Sequence, residues 1–385
     1  MLPYSGCPIP GSRGSCAPEG TGSLGVLILG EACGEHEAEA GLPFRPHAPA
    51  GSILERAIRR CGFTREQFVL WNVVPTHPPK NWLDGAPYEA AAIAWGRPML
   101  EKVINDYKPR VILALGNVAL RTTTGLTGPL RGISHTRGYP VSGLAGIPVL
   151  GAFHPSFLRR GAMPLMSVLM DDIRLAVAIA NTTPGQTASF YSAVLSRDRL
   201  WTHPAKFPDP YNPTVPGEYL THPKPAEAEH FVRYMEANPN AFLAYDIETP
   251  RSIDTSEDET DALAEVQIES IQFSPRAGAG IFLPWRHPYD DIAKRVLAMA
   301  HRKAGANTWR FDDPLLRAHG CELNGPLHDI RWMWHHLQPD LRASLQFIAS
   351  FYAPELGPWK HLHASHPEFY GIVDVDAVQR ILAGV

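Results

Sequence analysis

Four near-continuous apolar runs, separated by helix-forming stretches, constrain the first half of this 385-residue chain more than any other feature. They span residues 26–30, 68–74, 111–116 and 149–153. A strand with one face in water alternates apolar and polar side chains. A near-continuous run marks a strand covered on both faces, as in a parallel sheet between helical layers. Helical patterns at residues 53–61, 88–107 and about 165–179 supply that cover. The expected fold is an α/β/α sandwich.

From about residue 181 to 219 the periodicity lapses, and Pro204, Pro208, Pro210, Pro213 and Pro216 crowd the segment. It reads as a semi-extended linker, which divides the chain into residues 1–184, a linker 185–218 and a second domain 219–385. In the second domain a helix from Pro223 leads into a strand at 242–247, followed by strands at 268–273 and 280–283. Residues 254–265 carry six acids and read as a solvated loop.

Charge is uneven. Residues 1–184 hold 17 Lys/Arg against 13 Asp/Glu, and the remainder holds 18 against 26. A mildly basic half suits a phosphate surface and an acidic half suits a metal site. Five scattered cysteines argue against a disulfide framework and for a reducing compartment. No signal-like leader and no long apolar run is visible, so secretion and membrane spanning are not expected.

Three acidic segments carry chemistry in the second half. Asp246 and Glu248 alternate along a strand and so share a face. Asp312 follows Asn307 at a helix start. Asp374 lies one helical turn after Tyr370 and faces the same way. Four carboxylates and a tyrosine suit two Mg²⁺ or Mn²⁺ ions that activate water and stabilise a leaving 3′ oxygen. Order and spacing resemble the DEDDy 3′→5′ exonucleases, the proofreading domains of A-type DNA polymerases, over roughly residues 220–385. The resemblance implies a ribonuclease-H-like α/β domain. It makes Asp246 the bridge between two metals, Glu248, Asp312 and Asp374 further ligands, Tyr370 the group that orients water and Asn307 a substrate contact. The helical segment 341–352 and Pro358-Trp359-Lys360 fit the same pattern. Asp313 and Asp376 read as spectators, and Asp329 as a helix cap.

In the first half, strand one runs into Gly30-Glu31-Ala32-Cys33-Gly34, with Glu37 and Phe44 downstream. Strand two carries Asn72, and strand four delivers His154-Pro155-Ser156-Phe157-Leu158-Arg159-Arg160. Acids and glycines at the carboxyl end of a strand suit a ligand crevice. These motifs resemble the uracil-DNA glycosylase superfamily, nearest its family-4 branch, over roughly residues 24–180. The resemblance implies that Phe44 stacks on a flipped uracil, Asn72 reads its edge and His154 stabilises charge on its O2. Glu31 and Glu37 are the candidates to orient water. Ser156 and Arg159, with Arg160, would contact the strand, and Leu158 would be the apolar wedge. Cys33 replaces a proline of the family pattern and Ala38 an acid. The family's 4Fe–4S cluster needs four cysteines. Cys7 and Cys16 could stand for the first pair, but the later positions carry Thr76 and about Gly96, so no cluster is expected.

The sequence therefore points to a cytoplasmic, bacterial or phage-encoded DNA-processing hydrolase that joins base excision to 3′→5′ digestion. Its expected partners are uracil-containing DNA, single-stranded or frayed, and a polymerase or other replication protein. Two alternatives stay open: the first domain is a uracil or DNA sensor beside an active exonuclease, or the chain is a non-catalytic replication scaffold.

Overall fold

The computed structural model describes residues 6–182, 219–250, 265–360 and 367–384. The expected linker and residues 254–264 of the acid-rich loop lie outside the described residues. The chain divides into two compact units, residues 1–196 and 197–385.

The first unit contains strands β1 (Arg13–Ser15), β2 (Val26–Ala32), β3 (Val69–Val74), β4 (Thr76–His77), β5 (Val111–Leu115), β6 (Pro140–Ser142) and β7 (Pro148–Ala152). Its helices are α1 (Glu35–Ala40), α2 (Pro49–Arg60), α3 (Glu89–Tyr107), α4 (Asn117–Thr124), α5 (Ile133–Thr136), α6 (Pro155–Arg159) and α7 (Met166–Asn181). The main sheet runs β3-β2-β5-β7-β6. It is parallel except for β6, which pairs antiparallel with β7. A short edge strand of three residues shows no periodicity, which is why β6 escapes the sequence. Every residue of β3 and of β5 is buried, as two-sided cover requires. Helix α3 packs on β3, α4 on β2, β5 and β7, and α7 on β5 and β7. Each fully buried Leu, Ile or Val of these strands contributes about 1.5–3 kcal/mol.

Helix α2 starts four residues before the expected 53, because Pro49 at its first turn presets the helical φ and needs no N–H partner. Helix α7 is tied to the rest of its unit by a buried ion pair, Arg137 Nε to Asp172 Oδ1 at 3.0 Å. Burial pushes the Asp172 carboxyl up to about 6, against the opposing pull of Arg137.

The second unit contains β8 (Tyr219–Leu220), α8 (Pro225–Ala237), β9 (Leu243–Glu248), β10 (Ser270–Ser274), β11 (Gly280–Pro284), α9 (Tyr289–Ala298) and β12 (Lys303–Gly305). It continues through α10 (Asp312–Ala318), β13 (Leu327–Asp329), α11 (Ile330–Leu337), α12 (Leu345–Tyr352) and α13 (Pro367–Gly384). The sheet order is β13-β12-β9-β10-β11-β8. Strands β9, β10 and β11 form the expected antiparallel meander. The parallel strands β8, β12 and β13 are two or three residues long and carry no sequence signal. Helix α13 lies across β9, β10 and β11. It comes close because Gly371 faces Gln272 of β10, where a Cβ would meet the side chain at 2.5 Å. No helix of the described residues is long and apolar enough to cross a membrane.

Candidate functional site

Two clusters of polar side chains stand at the carboxyl ends of strands, one in each unit.

In the first unit, Gly30 of β2 pairs with Asn72 of β3. A Cβ on Gly30 would meet Asn72 Oδ1 at 2.3 Å and the Phe44 ring at 2.5 Å. The glycine therefore opens the floor on which amide and ring converge. Phe44 is buried and holds φ at +48°, a region that costs a bulky residue strain. Arg65 holds that backbone in place. Its guanidinium donates to the Pro43 carbonyl and, at 2.9 Å, to the Phe44 carbonyl, and is itself fixed by Glu19 through Nε at 2.8 Å. Gly51 assists, because a Cβ there would strike the Arg45 and Phe44 carbonyls at 2.0 and 2.4 Å. Neither Arg65 nor Gly51 stood out in the sequence. Their signal is purely spatial, since both act on the Phe44 backbone from another element.

His154 caps α6 and places its ring 6.1 Å from Phe44. Its Nδ1 accepts the Ser156 backbone N–H at 3.2 Å. Burial, reinforced by Arg160, lowers the imidazole pKa to about 4, so the ring is neutral near pH 7. A neutral ring whose Nδ1 accepts must carry its proton on Nε2. Asn72 Nδ2 is buried and makes no hydrogen bond of normal geometry, although the amide lies near enough to the Glu37 carboxylate to lower that group's pKa.

Both candidate acids are present. Glu37 of α1 is buried and accepts the Gly34 N–H at 3.0 Å. Glu31, at the end of β2, accepts the Asp84 N–H at 3.3 Å. Burial raises the pKa of each. Glu35 and Glu39 are exposed. The loop that carries Lys80, Asn81 and Trp82 turns through two positive-φ residues, and Trp82 is half exposed.

One expectation needs correction. Leu158 is fully buried in the turn of α6, so it is not an outward wedge. The exposed apolar side chain of that turn is Phe157, stacked on Phe153 at 5.6 Å. The helical turn moves the outward position by one residue. Arg159 and Arg160 are exposed.

The cysteines also depart from expectation. Cys16 and Cys33 form a disulfide, which the argument for a reducing compartment had not anticipated. The residue that replaces the family's proline is therefore a bonded cysteine. Cys7 Sγ lies 3.4 Å from the Thr76 hydroxyl, so a threonine stands where a second thiolate would be needed. At Gly96 a Cβ would meet the Val73 carbonyl at 2.2 Å. Cys61 contacts the Met170 carbonyl, and Cys321 belongs to the other unit. These donors do not fit a 4Fe–4S cluster.

In the second unit, the carboxylates of Asp246 and Glu248 on β9 and Asp374 on α13 offer oxygens all within 4.8 Å of one another. Asp312 starts α10 beside them, and its Oδ1 accepts the Ile247 N–H at 3.1 Å. Burial first, then mutual repulsion, pushes Asp246 far above the usual carboxylate range and Glu248 up to about 8. Burial moves Asp312 up to about 7. Such crowding of hard oxygen donors fits a divalent cation.

Lys360 supplies positive charge. Its Nζ pairs with Asp374 and donates to the Tyr370 hydroxyl at 2.8 Å, and Trp359 Nε1 donates to the other Asp374 oxygen at 2.5 Å. Burial raises the Tyr370 phenol to about 12. Asn307 Oδ1 accepts from Arg331 at 2.7 Å, which leaves the Nδ2 donors for a substrate. Asp329 accepts from the Arg331 and Trp332 N–H groups as a cap. Asp313 binds the Tyr245 hydroxyl and Asp376 the Tyr219 hydroxyl, both structural roles.

Comparison with known proteins bears on the first unit. Residues 17–173 match the family described as the uracil DNA glycosylase superfamily. A type-4 uracil-DNA glycosylase of Thermotoga maritima is 35% identical over 159 residues, 41% of this chain and 79% of that protein. One from Pyrobaculum aerophilum is 37% identical over 123 residues, 32% of this chain and 60% of that protein. A third, from Sulfurisphaera tokodaii, is 26% identical over 191 residues, 48% of this chain and 81% of that protein.

Proposed function

Given that the chain belongs to the uracil-DNA glycosylase superfamily, we propose that residues 1–184 excise uracil from DNA by hydrolysing its N-glycosidic bond. The observation that carries this reading is the convergence of the buried Asn72 amide and the Phe44 ring over Gly30, with the His154 ring 6.1 Å from Phe44. A side-chain amide offers both a donor and an acceptor, which match the carbonyl and N–H on one edge of uracil.

In this reading Phe44 stacks on the flipped base and Asn72 reads its edge. The His154 Nε2–H donates to uracil O2 as the bond to C1′ breaks and the base leaves as an anion. Glu37 or Glu31 orients the water that adds to C1′, and its negative charge stabilises oxocarbenium character. Phe157 fills the gap left in the stack while Ser156, Arg159 and Arg160 hold phosphates. The test is a labelled single-stranded oligonucleotide with one uracil, incubated in EDTA and then treated with alkali. A discrete break at the uracil supports excision. An intact strand refutes it and favours a sensor.

A second activity is favoured by the Asp246, Glu248 and Asp374 cluster: residues 219–385 digest DNA from the 3′ end. The antiparallel meander β9–β11, the start expected of a ribonuclease-H-like domain, supports this reading. Asp246, Glu248, Asp312 and Asp374 would hold two Mg²⁺ or Mn²⁺ ions, which when bound supply water activation and stabilise the leaving 3′ oxygen. Tyr370, fixed by Lys360, orients the attacking water. A ladder of digestion that appears with Mg²⁺ and vanishes in Asp246→Asn supports this. Digestion that survives the substitution refutes it. Single-stranded or frayed DNA, and a polymerase or replication protein acting beside it, would be the partners of such an enzyme.

A further inference from the structure

The Cys16–Cys33 disulfide lies against Glu37, with one ligand atom from each residue within 4.8 Å of the other two. We propose that, once the disulfide is reduced, Cys16, Cys33 and Glu37 form a buried site for one thiophilic divalent cation of the Zn²⁺ class.

Three backbone anchors fix the ligands. The Cys16 N–H donates to the Pro75 carbonyl at 2.9 Å and the Cys33 N–H to the Val74 carbonyl at 3.1 Å. Glu37 is set on α1, one turn beyond Cys33. All three side chains are buried. The two Cα atoms are 6.1 Å apart, so side-chain rotation alone can separate the sulfurs to the spacing that Zn–S bonds of about 2.3 Å require. Two thiolates and one carboxylate suit Zn²⁺ rather than Mg²⁺, and a water completes the tetrahedron. Two thiolates are too few for an iron–sulfur cluster.

The redox step balances against a dithiol. Two electrons and two protons pass from the dithiol, which becomes its own disulfide, to the Cys16–Cys33 bond, leaving two thiols. The cation then displaces both thiol protons to solvent. The disulfide and metal forms therefore exclude each other. A consequence, which rests on the base-excision reading, is that the cation draws Glu37 away from the Asn72 pocket.

The test is Co²⁺ titration of protein prepared and kept reduced with a phosphine, without DNA. The expected result is one equivalent of Co²⁺ giving thiolate-to-cobalt charge-transfer absorption in the near ultraviolet. Oxygen-ligand sites such as Asp246, Glu248 and Asp374 give no such band. The band should vanish in oxidised wild type, a control that shares the folded sequence, and in Cys33→Ser. Glu37→Gln should weaken binding about tenfold. Reduced protein without the band, or a band retained in Cys33→Ser, overturns the proposal. The readout needs no catalysis, so a protein that releases no uracil leaves the result intact.

Discussion

Gly30 and Asn72 face each other across the β2–β3 pair at a distance that no side chain at position 30 allows. Gly30→Ala would push both the Asn72 amide and the Phe44 ring from their places. Displacements of about 1 Å cost around 10²-fold in rate. Uracil release should fall by that order while the thermal midpoint moves little, read by single-turnover assay beside calorimetry.

His154 sets a pH dependence. Its folded pKa of about 4 lies below the ordinary 6.5, so between those values the unfolded chain takes up a proton that the folded chain refuses. Stability therefore falls as pH falls through that window. His154→Gln should lack this component, seen as a smaller loss of urea midpoint from pH 7 to 4.5. The same substitution should cost about 10²–10³ in excision rate, the usual effect of losing one charge-stabilising donor.

Phe157 and Leu158 separate wedge from core. Phe157→Ala should slow excision from duplex DNA while sparing single strands, where no stack needs filling. Leu158→Ala should instead lower stability by about 2–5 kcal/mol, with no strand preference. Parallel assays on both substrates, with chemical denaturation of each variant, distinguish the two.

The acidic cluster should respond to metal. Asp246→Asn removes one of several repelling carboxylates, so in EDTA its melting temperature should rise above wild type. Added Mg²⁺ should stabilise wild type through binding to the native state and leave the variant nearly unchanged. A wild-type melting temperature indifferent to Mg²⁺ would contradict a metal site here.

Much of this was legible in the chain. The buried strands declared themselves because near-continuous apolar runs have few other uses, and Asp246, Glu248 and Asp374 because their spacing matches a strand and a helix turn. What stayed hidden depends on tertiary approach. Arg65 acts on Phe44 from 21 positions away. Cys16 finds Cys33 across 17 residues because both backbones bond to the end of β3, at Pro75 and Val74. Which of Phe157 and Leu158 faces outward was not legible either, since a five-residue helix leaves no period by which to count its exposed face.

Asp246 and Asp374 meet only when β9 and α13 are both in place, and more than a hundred residues separate them. On the ribosome, the base pocket can close while the second unit is still being made, because domains fold in order of emergence. The acidic cluster has no such head start. Its two halves come together only after α13, at the end of the second unit, has been made. On the readings proposed above, a nascent chain would thus be able to hold a base before it has an assembled carboxylate centre.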